Sequence, residues 1–146
     1  MRTISRSALL LLLAVGVAAC GSDSPTAPTP PTTTPTPTPG ALTATLSSIQ
    51  SVVFNDSCVG HHGDHATDAD LDLREGQAFS NLVNRQSIQV ALDLVEPNDA
   101  ENSYLIHKLD GRAGIVGDRM PPAGPFLSQA DLDVIKQWIN NGAANN

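Results

Sequence analysis

Three histidines and a cysteine fall within eight residues, in the run Cys58-Val59-Gly60-His61-His62-Gly63-Asp64-His65. A thiolate and imidazoles are soft to borderline donors, suited to zinc or copper. Adjacent histidines point in different directions, so His61 and His62 do not readily share one ion. His62 with His65, completed by Cys58 or Asp64, is the better set. The same run lies one residue from Cys-x-x-Cys-His, the attachment pattern of a c-type haem, with His61 standing where the second cysteine would be. The acidic stretch 64–72 that follows is no calcium loop, because it lacks the ligand spacing and the glutamate at the twelfth position.

These residues need elements to hold them. Apolar residues at helical spacing between Leu46 and Val53, with Thr45 as N-cap, predict a helix ending near Asn55 or Asp56. It would deliver Cys58 and His62 onto the turn beyond it. Residues 64–72 read as a polar loop, 77–84 as a second helix, and 88–95 as an ambiguous, extended crossing segment. Asn98 and Glu101 have the spacing of a capping box for a third helix that carries Tyr104, Leu105, Ile106 and Leu109 and stops at Gly111. Residues 114–126 are too rich in Gly and Pro for regular structure, and Met120 lies among them. Ser128 and Asp131 open a last helix through Leu132, Ile135, Trp138 and Ile139, which stops at Asn141-Gly142. The fold class is therefore all-α, with short helices and long connections. Loops of such length in a small helical domain favour a cofactor to wrap around.

The front of the chain has another character. A basic start at Arg2 and Arg6, an apolar run over 8–19 and small residues just before Cys20 look like a lipoprotein signal over 1–19, with Cys20 as the lipidated residue. Residues 20–40 follow as a tether with seven of the eleven prolines, alternating with threonine at 35–39. Such a segment has no apolar face to bury and leans towards extended structure. The folded unit is then 41–146, small enough that a bound cofactor would add useful stability. With Cys20 acylated, Cys58 is the only remaining thiol, which excludes an internal disulfide. From Cys20 onward fifteen acidic side chains face six basic ones, a balance that disfavours nucleic acid as a partner.

A helix leading into Cys58-x-x-x-His62, the loop Arg119-Met120-Pro121 and a terminal helix ending Trp138-Ile139-Asn140-Asn141-Gly142-Ala143 together resemble the class I cytochrome c domain of small bacterial lipoproteins. The likeness spans 46–143 and includes Leu71-Asp72-Leu73 and Asn102-Ser103-Tyr104-Leu105. It implies a cytochrome c-like fold and a haem c held by a single thioether to Cys58, with His62 and Met120 as the two axial ligands of the iron.

The function implied is that of an electron carrier rather than an enzyme, since no nucleophile–base pair or oxyanion site shows in the sequence. Its partners would be a redox or membrane protein and, through Cys20, the lipid bilayer. Its place would be the bacterial cell envelope, facing the periplasm or the cell surface. Two alternatives stay open at this level. One is zinc or copper binding through His61, His62, His65, Asp64 and Cys58. The other is a haem-free structural or interaction subunit of a membrane assembly.

Overall fold

The computed structural model describes residues 41–64 and 66–146. The signal, Cys20 and the tether lie outside the described residues, as does His65. The described residues form a small helical domain with four α-helices, long loops and a two-stranded hairpin.

Helix α1 (Leu46–Ile49) starts where Thr45 Oγ1 accepts from Ser48 N–H at 3.2 Å. The first N–H groups of a helix have no partner within it. Here Asn146 provides the acceptors for two of them: its Oδ1 accepts from Leu46 N–H at 3.0 Å, and its carbonyl accepts from Ser47 N–H at 2.8 Å. Helix α1 continues without a break into a π-helical segment (Gln50–Cys58), in which Val59 N–H reaches back five residues to Phe54 O at 3.0 Å. The wider turn carries the helix through Cys58, beyond the end expected near Asn55 or Asp56. Gln50 is buried in this segment and donates to Leu73 O at 2.8 Å and Asn55 Oδ1 at 2.7 Å. That contact fastens the helix to the strand-like run that brings Leu71 and Leu73 into the core.

Strands β1 (His62–Gly63) and β2 (Ala66–Thr67) pair antiparallel, with His62 opposite Thr67. Gly63 is required here by space: a Cβ on it would lie 2.4 Å from Val59 O. A short 3-10 turn (Asp68–Asp70) follows, then helix α2 (Ala78–Leu82). The expected extended segment 88–95 is mostly bends, tied by isolated bridges between Gln86 and Asp93 and between Val83 and Val95.

Helix α3 (Tyr104–Asp110) begins later than the expected box at Asn98 and Glu101. Asn98 has a left-handed backbone, φ 69°, and its N–H is engaged by Ile139 O at 2.9 Å, so it serves a tertiary turn and not a cap. Ser103, fully buried, is the residue before the helix; its hydroxyl donates to Asp99 O at 2.8 Å and accepts from Glu96 N–H at 2.9 Å. Gly111 closes α3 at φ 75°, as its glycine led us to expect.

Helix α4 (Gln129–Asn140) opens on the expected capping box, with Ser128 Oγ accepting from Asp131 N–H at 3.2 Å and donating to Asp131 Oδ2 at 2.7 Å. Leu132, Ile135, Trp138 and Ile139 recur at helical spacing and are all buried. They share one core with Leu105, Ile106 and Leu109 of α3, Leu46 and Ile49 of α1, and Val53 and Phe54 of the π-helical segment. Each such side chain stabilises the fold by roughly 1.5–3 kcal/mol on burial. Trp138 also satisfies its indole N–H, donating to Ala144 O at 2.9 Å. Among the described residues no helix is long and apolar enough to cross a membrane.

Candidate functional site: an apolar cleft beside the histidine turn

On one side of this core a cleft of about 200 Å³ lies between the end of the π-helical segment, the 68–73 run, α3 and the loop 116–122. Its walls are mainly apolar, from Phe54, Leu71, Leu73, Leu94, Leu105 and Met120. The structure brings Cys58, His61, His62 and Met120 to this one cleft. Asp64 does not line it.

Each of these groups has a defined neighbour. Cys58 Sγ points back along its helix to Val53 O at 3.7 Å, and burial pushes its thiol up to about 11. His62 is half-buried, with its Nδ1 at 2.9 Å from Asp68 O. An amide oxygen only accepts, so Nδ1 carries the proton and, in the neutral ring, Nε2 carries the lone pair. Burial is the largest influence on His62 and lowers its pKa, partly offset by the Asp68 carbonyl, the Asp68 carboxylate and the Leu71 backbone. His61 stays exposed, with Nδ1 at 3.6 Å from Asp68 Oδ2.

The far wall is a loop held to α3 by side chains that the sequence did not single out. Tyr104 Oη accepts from Val116 N–H at 3.0 Å and donates to Gln89 Oε1 at 3.2 Å. Lys108 Nζ donates to Val116 O at 2.8 Å and Asp118 O at 2.7 Å. Burial lowers the pKa of Lys108, and the Asp118 charge works in the opposite direction. Met120 is placed from both sides: its N–H donates to Lys108 O at 2.8 Å, and the preceding Arg119 donates through Nε to Leu109 O at 2.8 Å. The Arg119 guanidinium also stacks over the Phe126 ring, 4.1 Å from its centre. The only local signal of this arrangement is a Tyr and a Lys one helical turn apart, at 104 and 108, just before a glycine-rich stretch.

This geometry corrects the metal and haem expectations. Among the described residues, no group of three or more His, Cys, Asp or Glu side chains is placed to hold a metal ion. The zinc or copper set of His61, His62, His65, Asp64 and Cys58 fails for visible reasons. Asp64 is ion-paired with Arg74, which also binds Asp72 and depresses that carboxyl's pKa. His62 Nδ1 is engaged by a carbonyl, Cys58 is a half-buried thiol kept protonated by its surroundings, and His65 lies outside the described residues.

The reading as a membrane-tethered electron carrier with haem c on Cys58, His62 and Met120 is likewise not retained. Pockets for drug-sized ligands run to about 300–1,000 Å³, and a cleft of about 200 Å³ is smaller than these. Cys58 is the one free thiol of the described residues and has no second cysteine beside it for a two-point attachment. The fold is therefore stated as a small all-α domain, and the cytochrome c-like assignment is withdrawn.

No protein-family model, no curated protein and no solved structure matches this chain.

Proposed function

We propose that the domain 41–146 is a binding module for a small, largely apolar molecule, taken up in the cleft beside His62. The carrying observation is the cleft itself: about 200 Å³, walled by leucines and Met120, with a few fixed polar groups among them. Apolar cavities of about 150 Å³ lined by such side chains accept benzene. A monocyclic, uncharged ligand is thus the right size. Burial holds the Cys58 thiol protonated, which disfavours it as a nucleophile.

In this proposal the module is displayed from the bacterial cell envelope. The lipoprotein-like signal before Cys20 and the Pro/Thr run after it support a lipid anchor and a spacer. The acidic balance supports a role without nucleic acid.

The test is a titration of the protein with toluene, followed by methyl NMR. The methyl signals of Leu71, Leu105 and Met120 should move together and saturate. A Met120→Trp variant, which fills the cleft from its loop wall, should lose that response while melting cooperatively. A uniform, non-saturating drift of all methyl signals would reject the reading.

A further inference from the structure

The walls of the cleft differ in how their backbone is held. Leu73 N–H donates to His62 O at 2.8 Å, and Leu94 N–H to Arg85 O at 2.7 Å. Phe54 and Cys58 lie in the π-helical segment, and Leu105 and Leu109 in α3. The stretch 113–118 differs: among the described residues, no backbone–backbone hydrogen bond ties it to another segment. Its attachments are two side chains of α3, Tyr104 accepting from Val116 N–H and Lys108 donating to the carbonyls of Val116 and Asp118. The stretch is also thin, since Val116, Gly117 and Asp118 line the cleft and are exposed at the same time, Val116 by 46%. Its two ends are fastened. Arg112 N–H donates to His107 O at 3.1 Å, and the Arg112 guanidinium pairs with Asp110 at 2.8 Å and Glu101 at 2.9 Å. At the other end Met120 N–H is held by Lys108 O and Arg119 Nε by Leu109 O. Between these anchors Gly114 and Gly117 have positive φ, 89° and 72°, and nothing lies within 4 Å of where a Cβ would stand.

We infer that residues 113–118 are a lid on the cleft, moving between the Arg112 and Met120 anchors, and that Tyr104 and Lys108 are the latch that sets how fast a ligand enters and leaves. This rests on the binding reading above and adds the route into the site. Opening breaks three hydrogen bonds whose partners on the loop are taken up by water, so it is far easier than unfolding the helices around it. The Tyr104 ring does not follow the loop, because it is buried and its hydroxyl also donates to Gln89 Oε1 at 3.2 Å. The latch therefore re-forms on the same two groups when the loop returns. Tyr104 and Lys108 are positioning residues in this account: their polar ends govern passage, while the fit of the bound molecule is set by the apolar walls.

The experiment measures the rates of toluene exchange by NMR on the wild-type protein, Lys108→Met and Tyr104→Phe. Lys108→Met keeps an apolar stem against the cleft and removes both of its bonds to the loop. Its on- and off-rates should both rise about fivefold, with Kd within about twofold of the wild type. Tyr104→Phe keeps the ring and should change the rates in the same direction. A residue that only shapes the wall would instead move Kd through the off-rate and leave the on-rate unchanged. In the free wild-type protein, relaxation dispersion at Val116 and Gly117 should report an opening at least as fast as toluene release, with Leu73 and Leu94 quiet. Saturable binding with rates unchanged in both variants would overturn the lid and leave the cleft reading standing. So would a rise in Kd at a constant on-rate, or an opening slower than release. Toluene that does not saturate the wild type would overturn both.

Discussion

The Lys108 ammonium donates to the Asp118 carbonyl at 2.7 Å, and through the same nitrogen to Val116 O at 2.8 Å. One helical side chain thereby fixes the loop that forms a wall of the cleft. Lys108→Met keeps the apolar stem and removes both bonds. It should lower stability by about 1 kcal/mol and speed amide exchange at Val116, whose N–H depends on the loop staying against Tyr104. Exchange at Leu132 and Ile135 in α4 should be unaffected. Equal protection of Val116 in both proteins would show that Lys108 does not hold the loop.

Gly111 makes the same loop possible from the other end. Its φ of 75° suits glycine, and a Cβ there would sit 2.8 Å from Arg119 Cδ. Gly111→Ala should cost roughly 1–2 kcal/mol in denaturant unfolding. It should also weaken ligand binding by moving Arg119 and Met120 together. A variant as stable as the parent would mean that the terminus of α3 tolerates another conformation.

The Cys58 thiol, raised by burial from 9.0 to about 11, should react slowly with disulfide reagents at pH 8. Thiolate content alone slows the native protein roughly 100-fold against the unfolded chain, and limited access slows it further. Between pH 9 and 11 the unfolded thiol loses its proton while the folded one keeps it, so stability falls as pH rises through that window. Cys58→Ala should flatten this part of the curve. Native and unfolded protein reacting at one rate would contradict the buried thiol.

His62 works in the opposite direction on the acid side. Its folded pKa lies below the ordinary 6.5, so below about pH 6.5 the unfolded chain takes up the proton first and stability falls as pH falls. Above that pH the contribution is fully present. The ring-proton NMR titration of His62 should show a midpoint below 6.5, and His62→Gln should reduce the acid loss. A midpoint at or above 6.5 would mean that the Asp68 carbonyl and carboxylate outweigh burial.

The proposed lipid anchor at Cys20 is open to a separate test. Cys20→Ser should abolish incorporation of labelled fatty acid in cells that process lipoproteins. The thermal transition of the 41–146 domain should be unchanged, because its core is drawn from Leu46 to Ala143. Label retained by the serine variant would reject the acylation site.

Much of the helical frame was legible because it is set by local chemistry. Thr45, the Ser128–Asp131 box, the apolar stripe of α4 and Gly111 each act within a few residues of chain, and each stands where its residue type led us to expect it. The misreadings are non-local. Asn98 looks like a cap in sequence, yet the carbonyl of Ile139 claims its N–H. The π-helical turn over Gln50–Cys58 has no residue-type signature, and its length shifts the helix end by several positions. The cleft was the least legible part. The sequence singled out Cys58, His62 and Met120, but the walls come from five separate segments, and the cleft's size follows from how those segments pack. The ligand cluster drawn from spacing dissolves because Arg74, ten residues on, pairs with Asp64, and Asp68 O occupies His62 Nδ1.

The most direct test of the central claim is an intermolecular NOE experiment on the methyl-labelled domain saturated with toluene. Binding in the cleft predicts contacts from the ring protons to the methyl groups of Leu71, Leu105 and Met120, and none to Ile135 or Ile139 in the core beneath α4. Contacts absent from the cleft methyls, or confined to other parts of the surface, would contradict it.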